Sequence, residues 1–157
     1  MKASTVALAL AIALAAGGFS TAMAQDALQV IEKRQAVMKQ QGKDLAAVKA
    51  MLDGKGDQAA AIAGADDLLK TIPQIPSVFP QKTSSADYPG KTRAKPAIWA
   101  EWNQFTAAGQ TALAKAQALD AAVRGGNPVT LQAAFDDMGK NGCGGCHTPF
   151  REPAPQR

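Results

Sequence analysis

The chain has 157 residues, 46% hydrophobic and 19% charged, with two cysteines, one histidine and a net charge of +4. That length suits one domain with its own core. The basic residues are scattered, and no block of like charge argues for nucleic acid, a charged tail or a membrane patch.

Residues 1–24 read as a cleaved secretory leader. Lys2 gives the positive start, residues 6–16 form an apolar run, and Ala22-Met23-Ala24 is a small-x-small cleavage site. The run is short for a membrane span and Gly17-Gly18 ends it, so no retained anchor is expected. Removal leaves residues 25–157, a single domain with 16 basic and 13 acidic side chains. Export places this domain in a bacterial periplasm.

Asp26 is the expected cap of a first helix reaching about Leu52. Positions 28, 31, 35, 38, 42, 45, 49 and 52 follow the 3–4 spacing of a bundle seam. Its middle is irregular, because Gln35 and Gly42 flank Met38. Asp53-Gly54-Lys55-Gly56 is a stop and turn. A second, Ala-rich helix runs from Asp57 to about Ile72, where Pro73 ends it. Residues 73–96 hold prolines at 73, 76, 80, 89 and 96 and make the one long irregular connection. Val78, Phe79 and Tyr88 are its expected inward anchors, and its length predicts that it closes over something.

Pro96 opens a third helix carrying Ile98, Trp99, Trp102 and Phe105, which Gly125-Gly126 stops. Asn127-Pro128 then caps and begins a fourth, which proceeds through Leu131, Phe135 and Met138 and ends before Pro153. No strand pattern and no repeat occurs. The expected fold is all-α: an antiparallel four-helix bundle with a long loop between the second and third helices.

Both cysteines and the single histidine fall in Cys143-Gly144-Gly145-Cys146-His147. C-x-x-C-H is the attachment pattern of a c-type haem: each thiol adds to one vinyl group and the adjoining imidazole reaches the iron. A redox C-x-x-C would need a βαβ setting, which is missing. A structural zinc site needs four ligands, and the chain has three Cys/His residues in all. One covalent haem c through Cys143 and Cys146 is therefore the expected cofactor, with His147 on the iron.

Arg34-Gln35-x-x-Met38-Lys39-x-x-Gly42, the third-helix opening Ala94-Lys95-Pro96-Ala97-Ile98-Trp99 and a haem motif close to the C-terminus together resemble the class II cytochromes c. These are cytochrome c′ and its low-spin relatives, and the likeness spans residues 26–152. It implies a four-helix bundle, often a homodimer through the first two helices, with the haem inside it. Two departures stand out. The stretch between Gly139 and Cys143 looks one residue longer than usual, which would rotate the preceding helix by about 100° unless a bulge absorbs it. Thr148 stands where relatives often have an acid.

Function then turns on the iron's sixth position. Of the mature methionines, Met138 lies on the histidine side and Met51 near a helix end, so Met38 is the candidate ligand. Arg34, one turn earlier, suits a propionate, and Gly42, one turn later, suits the porphyrin edge. The expectation is a periplasmic electron carrier with His147/Met38-ligated low-spin iron, exchanging electrons with unidentified redox partners. The alternative is a five-coordinate protein that binds nitric oxide or carbon monoxide. With His147 on iron no imidazole remains for acid–base chemistry, so an enzyme is not expected.

Overall fold

The computed structural model describes residues 16–154, with side chains from residue 26 onward. Residues 1–15, and with them much of the expected leader, lie outside the described residues. No helix among the described residues is long and apolar enough to cross a membrane.

Helix α1 spans Ala16–Leu52 without a break, so Asp26 is an interior residue and not the cap. Ala22, Met23, Ala24 and Gln25 are good helix formers, and the helix propagates back through them. Its buried seam also differs from the expected one. Ile31, Arg34 and Val48 are buried, Met38, Gln41, Leu45 and Leu52 are half-buried, whereas Gln35, Gly42 and Lys49 are exposed. Positions 31, 38, 45 and 52 are common to both seams, but 34, 41 and 48 alternate with them in place of 35, 42 and 49. The irregular middle disappears once the polar Arg34 and Gln41 are read as inward residues.

Helix α2, Gln58–Thr71, is capped by Asp57, whose carboxylate accepts from the Ala60 N–H at 2.7 Å. It buries Ala61, Gly64, Ala65 and Leu68. At Gly64 the two helices touch, since a Cβ there would sit 2.7 Å from the Asp44 carbonyl oxygen. That backbone cannot yield as a flexible side chain would, so the crossing requires glycine.

Pro73 does end α2, but the chain continues as a 3-10 segment, Ile72–Val78, before the irregular loop begins at Phe79. The prolines tolerate that tighter winding because they leave few N–H groups to satisfy. Val78 and Phe79 are buried anchors, as their position predicts, and Tyr88 is half-buried. The expected third helix is broken. A single turn, α3 (Ala97–Ala100), gives way at Glu101, with φ −119° and ψ 42°, to α4 (Trp102–Gly125). The kink lets Ile98 and Phe105 both reach the core while Trp99 donates to the Phe79 carbonyl at 3.0 Å.

Gly126, at φ +67°, stops α4, and Asn127 caps α5 (Pro128–Asp137) by accepting from the N–H groups of Val129 and Thr130. The fourth helix then widens into a π-helical stretch, Met138–Cys143, before resuming as α6 (Gly144–Phe150). A wider turn of this kind is where a helix accommodates an added residue. Together α1, α2, α4 and the α5–α6 run make a four-helix bundle with no strand among the described residues. An isolated bridge, Ala94 to Arg151, ties the long loop to the end of α6, and the Lys95 N–H donates to the Phe150 carbonyl beside it at 3.0 Å.

Candidate cofactor site

Between α1, the loop, α4 and α6 lies a cavity of about 620 Å³. The π-bulge and α6 deliver Cys143, Cys146 and His147 to its wall, and α1 delivers Arg34 and Met38. Cys143, Cys146, His147, Arg34 and Met38 therefore line one space. Gly42 does not: it is exposed, and a Cβ there would meet nothing. The small wall residues are instead Gly109 and Ala112 of α4, which the sequence reading passed over as ordinary helix. Met138 also lines the cavity from the histidine side, with its sulfur 2.8 Å from where a Gly142 Cβ would lie. Glycine at 142 makes room for that thioether. Met51 packs on the core away from the cavity.

Both thiols are free and half-buried. Burial pushes Cys143 above the ordinary thiol range and Cys146 up to about 11. Burial, helped by the cations of Arg151 and Arg93, pulls His147 down to about 4. At neutral pH the imidazole therefore keeps its lone pair and the thiols keep their protons. Phe105 stands edge-on to Phe150 with ring centres 5.5 Å apart and tilted to Phe79 at 4.9 Å, all three on the cavity wall.

Arg34 is only 3% exposed. Its guanidinium donates to Thr83 Oγ1 at 3.2 Å, to the Thr83 carbonyl at 2.9 Å and to Thr92 Oγ1 at 2.8 Å. It also lies 4.5 Å over the Phe79 ring. Burial lowers its pKa to about 10, so it remains a cation at pH 7. No carboxylate pairs with it among the described residues. Lys39, Lys91, Arg93 and Arg151 line the same cavity, and no Asp or Glu does. A space walled by Ile72, Ile75, Phe79, Ile98 and Phe105, with two thiols, one neutral imidazole and unpaired cations, fits an apolar macrocycle bearing two carboxylates.

A family model described as Cytochrome C′ matches residues 29–151. The chain belongs to the cytochrome c′ family. Among its relatives, a cytochrome c′ of Cereibacter sphaeroides is 34% identical over 134 residues, covering 84% of this chain and 89% of its own. The cytochrome c′ of Rubrivivax gelatinosus is 33% identical over 124 residues, covering 78% and 93%. In structure, the cytochrome c′ from Rhodobacter Spheriodes superposes with a TM-score of 0.73 at 33% identity, over 82% of this chain and 98% of that one. The protein is thus a c-type cytochrome with covalent haem c, and its bundle is the family's.

Proposed function

We propose that the mature protein is a periplasmic cytochrome whose iron takes His147 on one side and stays open on the other to nitric oxide or carbon monoxide. The supporting observation is the cavity wall: Ile72, Ile75, Phe79, Ile98 and Phe105 offer no ligand atom and suit a neutral diatomic gas. The cytochrome c′ name of the relatives points the same way. Cys143 and Cys146 hold the haem through thioether bonds, and Arg34 pairs with a propionate. When bound, haem c supplies a redox-active iron; the chain supplies attachment, one axial nitrogen and walls that exclude water. With His147 so engaged, no other imidazole exists in the 157 residues for acid–base catalysis, and neither reading makes the protein an enzyme.

One observation favours a second reading. Met38 brings a thioether to the same cavity from a different helix. Bonded to the iron, it would close the sixth position, give a low-spin centre and raise the potential, as an electron carrier requires. Met38→Leu separates the two, because it keeps volume and removes only the sulfur. The open-site reading expects a high-spin oxidised spectrum that the variant leaves unchanged. A low-spin wild type whose sulfur–iron charge-transfer band vanishes in Met38→Leu, with carbon monoxide affinity gained, would instead establish the carrier.

We also propose a homodimer through α1 and α2. The α1–α2 pair presents small exposed residues, Ala59, Ala60 and Ala63, on which a second copy can pack closely. Size-exclusion chromatography with light scattering at micromolar protein is expected to return twice the chain mass, and a monomer mass rejects the interface.

A further inference from the structure

The four ion pairs among the described residues are Lys49–Asp53, Lys115–Asp137, Arg124–Asp66 and Arg124–Asp120. None involves a residue that lines the haem cavity. Lys39, Lys91, Arg93 and Arg151 line it, are exposed and have no carboxylate partner among the described residues. They come from α1, from the loop and from the end of α6, so the fold gathers charges that are scattered in sequence. Arg93 and Arg151 lie on adjoining segments, where main-chain pairing sets Ala94 against Arg151 and the Glu152 N–H donates to the Arg93 carbonyl at 2.7 Å. Like charges held together without counter-charges cost free energy in the isolated molecule. Two haem propionates cannot neutralise these four and Arg34 together.

We propose that this cationic mouth is the docking surface for an acidic protein that delivers electrons to the haem. The inference rests on the haem site common to both readings above, since a gas-binding ferrous iron and an electron carrier alike must be reduced. The charges sit on long, exposed side chains drawn from three separate elements that line the cavity. Such a rim steers an oppositely charged protein and places its cofactor near the haem edge. Lys39 and Lys91 are the informative positions, because neither side chain makes a hydrogen bond among the described residues, while the Lys91 main chain is held by Gln35 and Tyr88.

The test is the second-order rate of reduction of the holoprotein by two donors: reduced flavodoxin, an acidic protein, and hexaammineruthenium(II), a small cation. With flavodoxin the wild-type rate is expected to fall as salt rises, and the Lys39→Glu/Lys91→Glu pair to be slower by about tenfold. The ruthenium rate is expected to rise in that pair. The charge-neutral pair Lys39→Gln/Lys91→Gln, which introduces no repulsion, is expected to fall between. An unchanged flavodoxin rate in both pairs overturns the proposal, and so does an equal slowing with both donors, which would report damage to the haem. Loss of binding to phosphatidylglycerol vesicles with an unchanged flavodoxin rate would assign the patch to a membrane and overturn it too. If neither donor reduces the wild type, the redox role itself fails, and the docking surface with it.

Discussion

With both Cys143 and Cys146 changed to alanine, the purified chain is expected to run colourless to haem stain in denaturing electrophoresis. Denaturant removes every non-covalent hold, so only thioether bonds can carry the colour through. Each single variant keeps one sulfur and is expected to stay coloured. Native colour can survive in the double variant, because His147 still offers a neutral nitrogen to non-covalently held haem. Its stability provides a second readout. The cavity of about 620 Å³ is lined by Ile72, Ile75, Phe79, Ile98, Phe105 and Phe150, which face the cofactor in the holoprotein. Without it these walls meet water or collapse around a void, and measured cavity costs of about 24 cal/mol per Å³ put the loss at several kcal/mol even after substantial collapse. At roughly 4 °C per kcal/mol for a domain of this size, the thermal midpoint should drop by more than 10 °C. Haem stain persisting in the double variant after denaturation sinks covalent attachment through these thiols.

The parts of the fold legible in the sequence are those governed by local chemistry. Asp57, Asn127-Pro128 and Gly126 act at the helix ends where their side chains or backbone freedom place them. Cys143, Cys146 and His147 are marked by their spacing alone. The apparent extra residue before Cys143 left open whether the helix rotates or bulges, and the chain is π-helical over Met138–Cys143. What sequence could not show was set by tertiary partners. The α1 seam reads as irregular because hydrophobic periodicity skips a buried arginine, and Arg34 turns inward where Thr83 and Thr92 of a distant loop accept its hydrogen bonds. Glu101 carries no breaker signal, yet the helix yields there so that Ile98 and Phe105 both pack inward. Lys39, Lys91, Arg93 and Arg151 looked like solvated surface until the fold brought them to one rim.

Arg34→Met is expected to destabilise the holoprotein by about 3 kcal/mol, lowering its thermal midpoint by roughly 10 °C. Two effects oppose each other. Removing a buried cation relieves a desolvation cost, the same cost that lowers its pKa to about 10. Against this, the variant leaves the Thr83 carbonyl, Thr83 Oγ1 and Thr92 Oγ1 without the guanidinium that binds all three. Hydrogen bonds to a charged group contribute about 1.5–3 kcal/mol each, and stacking on Phe79 adds roughly 1 kcal/mol. The bonds win because Thr83 and Thr92 are themselves buried and water cannot replace the lost donors. Lysine is expected to fail nearly as badly, since a single ammonium cannot span both threonines as a planar fork does. The consequence reaches the site, because the same loop pairs with the end of α6 through Ala94 and Arg151. Limited proteolysis within residues 79–96 should therefore accelerate in Arg34→Met while α2 and α4 stay protected. If the midpoint moves by less than 2 °C and the loop resists cleavage as before, Arg34 is not what fastens it over the haem.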